Sequence, residues 1–554
     1  MNFDFSYVDI AFKNGKVITI NGNDDIEQAV GIKGNRIVFV GSNEDLEKIV
    51  DDTTRIIDLG GRTLSPGFID THYHPILNGF FGNNEDAAII NTGYANCKSI
   101  KDILALIKKA AAKRPAGQWI SMMGYDQNRI EEKRHITIQE LDEAAPDHPV
   151  QCMRTCGHVC IYNSKALEAI GVKEAADALK YAKDEIVVEH GKLTGMVKDH
   201  THFYLWSKVV YTEEQQIKAA MKSNQLLLEN GITSVHDAGE CDAPSYKIMQ
   251  RLCRERKFKP REYMMLHSIF GKPVSLTDND HFLALGLQSG IGDAHFKIGT
   301  CKFMIDGGTS GPSCATREPY SHDPDMPGIL GWEREETAEY IKKLNDAGCQ
   351  ISAHAVGDLA IEFMVEGYEK AFLTNPRPEA RHRIEHCAIV DQDLIDRMAK
   401  LNICPSCNPG FLSWNGRNYT KFYGDRMKFF MALRSMIDAG IKVSLASDAP
   451  SGPMESMTLL DSCVNRCDRV TDEPVDQTQA ISILEAIRLY TYNGAYSSYE
   501  EDVKGSIETG KYADLIVLSE DILSCRKDKI RDVKVDMTMI DGVIEYERFN
   551  PEDK

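Results

Sequence analysis

The chain contains no apolar run approaching the roughly 20 residues that a membrane-spanning helix requires. It begins MNFDFSYVDIAF, which has neither the basic segment nor the apolar core of an export signal. Low-complexity segments, Ser/Gly linkers and solenoid-type repeats are also missing from its 554 residues. Together these absences predict a cytoplasmic protein built from packed domains, with no membrane partner.

Basic residues are scarce relative to acidic ones, with 64 Lys and Arg against 83 Asp and Glu, for a net charge of −19. Such a surface repels phosphate backbones and therefore excludes nucleic acid as the expected partner. The composition is 42% hydrophobic and 27% charged, which supports a large core and excludes a disordered chain. The 15 cysteines cannot all pair within one chain, so we expect reduced thiols.

Both ends of the chain are rich in short β-type runs separated by turn signals. Asn-Gly, Lys-Gly-Asn and Gly-Gly between apolar runs are typical of antiparallel hairpins. We therefore predict one composite β-sandwich domain formed by residues 1–63 and 500–554. The runs are DIAFKNGKVITING, AVGIKGNRIVFVG and RIIDLGGRTLSPG at the start, and GSIETGKYADLIVLSED and KVDMTMIDGVIEYE at the end.

The middle of the chain repeats a different unit, an apolar β-branched run that is usually followed by a helical pattern. This alternation predicts the α/β class, with a parallel sheet closed into a (β/α)₈ TIM barrel over residues 64–499. The long β-rich gap between the first two runs predicts a subdomain inserted at residues 90–220, over the barrel mouth. The eight runs are GFIDTHYH, GITSVHDAG, REYMMLHS, TCKFMIDGG, CQISAHAVGD, HRIEHC, LNICPSC and KVSLASDAP.

Ionisable residues close several of these runs, at the end of the barrel where active sites form. His72 and His74 lie two positions apart, so both face the same way from an extended strand. Imidazoles with a carboxylate favour Zn²⁺ as the first choice of divalent metal, with Mn²⁺, Fe²⁺ and Ni²⁺ as alternatives. The predicted ligands are the four imidazoles and the carboxylate, and the residues expected to converge at this rim are His72, His74, Lys302, His354, His386 and Asp448.

Several motifs carry a resemblance to a known family. PGFIDTHYHP, KFMIDGG, HAVGDLA, RIEHC and ASDAP resemble the amidohydrolase superfamily, and HAVGDLA and RHRIEHC resemble its amidohydrolase family 3 branch, the YtcJ-like metal-dependent hydrolases. The resemblance implies one metal held by His72, His74 and Asp448 and a second held by His354 and His386. It also implies that Lys302 becomes an N6-carboxylysine bridging the two, whereas an unmodified Lys302 would leave a single metal.

The resemblance further implies a hydrolase acting on a C–N bond of a small molecule: an amide, an N-formyl or N-acyl compound, or a cyclic amide. A metal-activated hydroxide would attack, and Asp448 would act as general acid/base, passing the water's proton to the leaving nitrogen. The alternatives are an ester or other hydrolase using the same site, and a catalytically silent ligand-binding or regulatory relative. Large barrels commonly pair, so a homodimer is the expected assembly.

Residues outside the ligand set are candidates for contact with substrate. His236 and His267 end the second and third runs, with simple packing as the alternative reading. His158 lies in CGHVCIYN, in the predicted insertion over the mouth. Asp306 and Arg317 follow the fourth run, where either could support the site or anchor a loop, and Arg317 is also a candidate substrate contact.

Two cysteine patterns allow other readings. Cys404 and Cys407 form a C-x-x-C pair, but Asn-Pro-Gly follows, which disfavours the helix start of a redox motif. We therefore expect Cys407 and Asn408 to shape the substrate pocket. The cysteines at 152, 156 and 160 lack the spacing of an iron–sulfur site. The second His-x-His, within residues 199–202, is expected to be polar surface of the insertion.

Overall fold

The computed structural model describes residues 7–155, 157–181, 185–239, 243–267, 278–326 and 328–549. Residues 1–6 and 550–554 of the predicted β-sandwich and Cys156 of the cysteine pattern lie outside these ranges. Within them, no helix combines the length and the apolar character needed to cross a bilayer.

The centre of the molecule is a parallel barrel. Among the described residues, eight strands pair in chain order within one sheet. The first and last strands are joined where the Thr71 hydroxyl donates to the Leu445 carbonyl at 2.9 Å. Seven of the predicted runs contain one strand each, and the fourth overlaps a strand that begins four residues earlier, at Phe296, so the TIM-barrel prediction is confirmed. The strands are β1 (Phe68–Tyr73), β2 (Ile232–Asp237), β3 (Arg261–His267), β4 (Phe296–Met304), β5 (Ile351–Ala355), β6 (Arg383–His386), β7 (Cys404–Cys407) and β8 (Ser444–Leu445).

Helices cover the outside of the barrel strands, whose residues are mostly buried on both faces. Glu213–Glu229 begins after Thr212, whose side chain accepts from the Gln215 N–H in a capping box. A Cβ on Gly79 would lie 1.9 Å from the Ala219 carbonyl oxygen, so glycine permits the close helix contact there. The α-helices outside the insertion and the terminal sheets are Pro75–Phe80, Glu213–Glu229, Ala243–Arg254, Asp278–Ala284, Arg334–Asp346, Asp358–Thr374, Gln392–Lys400, Gly410–Tyr423, Leu433–Asp438, Ser456–Asn465, Ile483–Leu489 and Tyr492–Ser497.

An insertion with its own sheet and core separates β1 from β2. Its described part contains the helices Ile100–Lys113, Ile138–Ala144, Ser164–Glu168 and Asp199–Trp206. The sheet begins before the predicted boundary at residue 90, and the exact domain boundaries stay predictions. Its strands, in spatial order, are Ile186–Glu189, Lys192–Lys198, Val159–Tyr162, Val150–Arg154, Ile120–Tyr125, Ile89–Asn91 and Phe81–Gly82.

Two sheets from the chain ends pack on each other. Thr63–Pro66 pairs antiparallel with Leu515–Leu518, and Phe12, Leu64 and Leu515 share one buried cluster. The predicted composite β-sandwich is therefore confirmed. One sheet contains Val543–Glu547, Val535–Ile540, Leu515–Leu518, Thr63–Pro66, Lys16–Ile18 and Ile26–Glu27. The other contains Arg36–Gly41, Ala29–Lys33, Ile10–Lys13 and Arg55–Asp58, and the helix Asn43–Leu46 belongs to the same part of the chain. A separate hairpin pairs Cys467–Asp468 with Glu473–Pro474.

Candidate metal centre and active-site cavity

A cluster of three candidate metal ligands lies where the barrel closes. His72 and His74 come from the end of β1, and Asp448 follows β8. One ligand atom from each lies within 4.8 Å of the other two. The His72 Nε2 is 3.5 Å and the His74 Nε2 3.4 Å from the Asp448 Oδ1. The structure therefore brings together residues that are far apart in the sequence, at the rim where they were expected.

Hydrogen bonding fixes the orientation of the His72 imidazole. Its Nδ1 is 2.8 Å from the Glu385 Oε2. Because an ionised carboxylate only accepts, His72 donates through Nδ1 and turns the Nε2 lone pair toward Asp448. Arg383 holds Glu385 in turn, with Nε and Nη2 at 2.8 and 3.0 Å from its two oxygens. A carboxylate behind a metal-binding histidine in this way raises its basicity and fixes its tautomer.

His354 and His386 continue the row of imidazoles from His72. The ring centroids of His72 and His386 are 4.7 Å apart, and those of His386 and His354 are 4.5 Å apart. The His386 Nδ1 donates to the Asn408 Oδ1 at 2.8 Å, because the Asn408 amide nitrogen is committed to a backbone carbonyl. The His354 Nε2 donates to the Gly307 carbonyl at 3.1 Å. Each ring thus keeps one nitrogen lone pair for a ligand.

Lys302 completes the predicted set. Its Nζ is 3.2 Å from the His72 Nε2 and donates to the Ala238 carbonyl at 2.9 Å. Lys302 is buried at the end of β4, beside the imidazole row. All six predicted ligands line a single cavity at the C-terminal end of the barrel.

The protonation states suit a divalent cation. Burial lowers the pKa of His72, His354 and His386, so these imidazoles are neutral near pH 7 and retain lone pairs. Burial alone would raise the pKa of Asp448, but its hydrogen bond with His74 helps to hold the pKa below the usual value. His386 and Asp448 both have left-handed backbones, with φ of 70° and 56°, a strained conformation found often at functional sites. Neutral nitrogens and an ionised carboxylate are the donors of Zn²⁺-type sites.

The cavity above these residues has a volume of about 270 Å³. Among the described residues that line it, the acidic and basic side chains other than histidine are Lys302 and Asp448. One wall is apolar, and there the Phe80 and Tyr211 rings stack with centroids 4.2 Å apart. The apolar wall comes from the helix after β1 and from the insertion, and comprises Ile76, Leu77, Phe80, Met123, Met153, Phe203, Trp206, Val209 and Tyr211.

Two of the six predicted substrate contacts line the cavity, His158 and His267. The His158 ring lies 5.7 Å from the His354 ring and 5.6 Å from the Phe203 ring, measured between centroids. His158 therefore links the imidazole row to the apolar wall, from the insertion side.

His236 and Arg317 lie outside the described cavity lining, so their predicted contact with substrate gains no support. The His236 Nδ1 is 2.6 Å from the Arg383 Nη1, and because a guanidinium only donates, His236 accepts. Arg317 forms ion pairs with Glu362 at 2.7 Å and Asp391 at 2.5 Å. Neither side chain is among the described residues lining the cavity.

Cys407 and Asn408 also lie outside the described cavity lining, so their predicted role in shaping the pocket gains no support. Asn408 instead orients His386. Burial raises the pKa of Cys404 and of Cys407 to about 12, so neither presents a reactive thiolate, and the redox reading gains no support.

Two further expectations concern supporting residues. The Asp306 carboxylate accepts hydrogen bonds from the backbone N–H groups of Ala315, Val356 and Gly357. These contacts are those of a loop anchor, which is one of the two roles predicted for Asp306. The expectation of polar surface at residues 199–202 is wrong for His202. That side chain is fully buried, with its Nδ1 2.7 Å from the Tyr162 hydroxyl.

Arg383, Glu385 and the aromatic wall were not expected. The sequence did contain a signal for the first two, because RIEH places opposite charges inside a strand that must be buried, and buried charges are normally paired. The run FYLW at residues 203–206 contains two of the aromatic residues of the wall. Nothing in that run indicates that it reaches the barrel mouth.

With this geometry established, the chain can be classified: it belongs to the Amidohydrolase family, whose family model matches residues 55–546. The resemblance seen in the motifs is confirmed. This membership supports metal-dependent amide hydrolysis as the general activity.

Individual relatives extend over nearly the whole chain. The chain is 28% identical to the N-substituted formamide deformylase of Arthrobacter pascens, over 98% of both proteins. It is 27% identical to the putative amidohydrolase YtcJ of Bacillus subtilis (strain 168), over 89% of this chain and 91% of that protein. An uncharacterized metal-dependent hydrolase from Pyrococcus horikoshii OT3 aligns with a TM-score of 0.73 and 24% identity, over 94% of this chain and 99% of that one, which shows a shared fold.

Proposed function

We propose that the protein hydrolyses the C–N bond of a small, uncharged amide, with N-formyl amines as the first substrate class and N-acyl and cyclic amides as the next. The observation that carries this proposal is the His72, His74 and Asp448 cluster lining a mostly uncharged cavity. The full-length similarity to an N-substituted formamide deformylase supports the choice of N-formyl amines.

The six predicted ligands, His72, His74, Lys302, His354, His386 and Asp448, fit one or two divalent cations, Zn²⁺ first. A bound cation would supply Lewis acidity, which lowers the pKa of water and polarises a carbonyl group. The Lys302 ammonium, 3.2 Å from the His72 Nε2, would repel such a cation. N-carboxylation of Lys302 would replace the positive charge with anionic oxygens, and we include it in the proposal.

Asp448 is the proposed general base and acid. Its carboxylate is ionised and lies 3.4–3.5 Å from two imidazole nitrogens at the cavity. An ionised oxygen there can accept a proton from the attacking water and return it to the leaving nitrogen. His158 and His267 line the same cavity and are the proposed hydrogen-bonding partners of the substrate carbonyl.

The cavity lining favours an uncharged substrate. No arginine is found among the described residues that line it, and its one lysine, Lys302, is assigned to the metal site. A substrate carboxylate would therefore be buried without a charge partner, which costs several kcal/mol, about 3–5 when one partner of a buried pair is missing. Simple N-formyl amines should accordingly be hydrolysed in preference to N-formyl amino acids.

The test combines elemental analysis of the purified protein with a panel of N-formyl, N-acyl, cyclic-amide and ester substrates. We expect one or two metal ions per chain and turnover of N-formyl amines. His74→Ala should lower the metal content, whereas His322→Ala, an exposed histidine outside the described cavity lining, should not. Turnover of esters alone would overturn the assignment to C–N bonds. A folded, metal-free protein that binds small molecules without turnover would favour the non-catalytic alternative.

A further inference from the structure

A short segment of the insertion separates the active-site cavity from a second cavity. The second cavity has a volume of about 470 Å³, against about 270 Å³ for the first. Val209 and Tyr211 line both, whereas Lys208 and Val210 line the second and not the first. Because Val209 and Tyr211 line both cavities, these two residues form a wall that the cavities share. We call Val209 and Tyr211 the partition.

Contacts on both sides hold the partition in place. The Tyr211 ring stacks on Phe80, which belongs to the helix after β1. The Gln216 side-chain amide donates to the Tyr211 carbonyl at 3.3 Å. Val209 is buried, and its N–H donates to the Trp206 carbonyl at 2.8 Å. These contacts come from three helices, Pro75–Phe80, Asp199–Trp206 and Glu213–Glu229, which together hold the partition in position.

The two cavities differ in character. The first is apolar near the partition, where Leu77, Phe80 and Trp206 line it. The second has charged side chains, including Glu85 and Lys113, which form an ion pair at 2.8 Å. An apolar substituent therefore fits on the near side of the partition, and a polar group fits beyond it.

Resting on the proposed function, we propose that Val209 and Tyr211 are specificity-determining residues that limit the length of the apolar substituent on the amide nitrogen. A cavity of about 270 Å³ lies just below the range of about 300–1,000 Å³ typical of drug-sized ligands. Substituents that reach the partition meet packed side chains, and a longer chain has no space unless the partition is removed. Truncating either residue joins the cavities and admits longer substituents, most of all those ending in a polar group.

The experiment measures kcat/KM for a series of N-alkylformamides of increasing chain length, with and without a terminal hydroxyl. In the wild-type protein we expect kcat/KM to fall sharply beyond one chain length. Tyr211→Ala and Val209→Ala should move that limit to longer chains and raise kcat/KM for the excluded members by about tenfold or more, since a methylene in an apolar pocket is worth about 10–200-fold. In these variants kcat/KM should increase more for the substrates with a terminal hydroxyl than for those without one.

Two control variants leave the partition in place. The Val210 side chain is 85% exposed and lines the second cavity but not the first. Val210→Ala should therefore show the same limit on substituent length as the wild type. Tyr211→Phe preserves the ring that stacks on Phe80, so it should also show the wild-type limit on substituent length. The thermal midpoint of each variant identifies any that fail to fold, and Val209→Ala is the milder of the two openings.

The outcomes separate this proposal from the proposed function. If the wild type hydrolyses short formamides but neither opening variant moves the length limit, the partition has no such role and the hydrolase assignment stands. If no amide is hydrolysed, the proposed function fails. In that case calorimetry on the wild type and the two opening variants gives their affinities for the same compounds. If the affinity depends on chain length in the same way in all three proteins, the proposed role of the partition is overturned.

Discussion

The two ends of the barrel treat buried charge in opposite ways. At the C-terminal end, Asp448 and the imidazole row face a cavity. At the N-terminal end, Arg261 opens β3 and donates to Asp514 at 2.7 and 3.1 Å and to Asp541 at 2.5 Å. Nearby, the Lys504 Nζ is 2.7 Å from the Glu500 carboxylate. The charged groups at the N-terminal end are paired with each other, whereas Asp448 at the C-terminal end faces the cavity.

The difference separates stability from activity. Asp514 and Asp541 belong to the C-terminal part of the chain, so the ion pairs of Arg261 attach the β-sandwich to the barrel. Barrel enzymes characteristically place catalysis at the C-terminal face and stabilising contacts at the other. Substitutions at the two ends should accordingly affect different measurements.

The largest effect is expected at the cavity, for Asp448→Asn. The amide oxygen cannot take up the water's proton, so kcat for a formamide substrate should fall by about 10²–10⁴-fold. Metal content should stay near normal because the histidine ligands remain. Both quantities are measured on the same preparation. Wild-type turnover in this variant would remove Asp448 from the proposed acid/base role.

Arg261→Met removes the ion pairs at the N-terminal end of the barrel. The buried Asp514 carboxylate loses its ion-pair partner, whereas Asp541 keeps Arg256 and His295. Breaking the buried pair should lower the free energy of unfolding by about 3–5 kcal/mol. Urea denaturation measures the loss, and kcat of the folded protein should not change. Arg526→Met removes an exposed pair with Asp528, so we expect at most about 1 kcal/mol there. Equal losses in the two variants would contradict the comparison.

Glu385→Gln tests the support behind His72. The glutamine can still accept from the His72 Nδ1 but no longer raises its basicity, so the affinity for Zn²⁺ should fall by about 10–100-fold. Competition with a metal chelator gives the affinity. Glu501→Gln, which alters the partner of Arg381 just before β6, is the matched control and should bind Zn²⁺ normally. A similar loss in both would point to general destabilisation.

Glu500 is expected to contribute to stability in a way that depends on pH. Burial alone would raise its pKa, but Lys504 and Lys297 lower it to about 2 from the ordinary 4.5. Because the folded pKa lies below the unfolded one, its ionisation stabilises the protein above about pH 4.5, and this stabilisation is lost as the pH falls toward 2. Glu500→Gln should therefore be less stable than wild type near neutral pH. Urea unfolding at several pH values should show the gap narrowing in acid, and a constant gap would contradict the assignment.

The sequence was informative where a residue's position along a strand decides its location. His72, His74 and Asp448 close strands of a parallel barrel, so the topology alone brings them to one rim. His236 closes a strand as well, yet it packs against Arg383, more than a hundred positions away. Such a pairing depends on packing across the barrel interior, which residue types do not reveal. The cytoplasmic location and the homodimer stay predictions.

The pairing of Thr63–Pro66 with Leu515–Leu518 has a consequence for biosynthesis. The early strands of the β-sandwich leave the ribosome before the barrel, and Leu515–Leu518 is made only after the barrel. Until then the edge of Thr63–Pro66 has unpaired backbone groups, the kind of surface that promotes aggregation. The nascent chain must keep this edge protected while the whole barrel is synthesised, so the synthesis of Leu515–Leu518 is the event that pairs the edge.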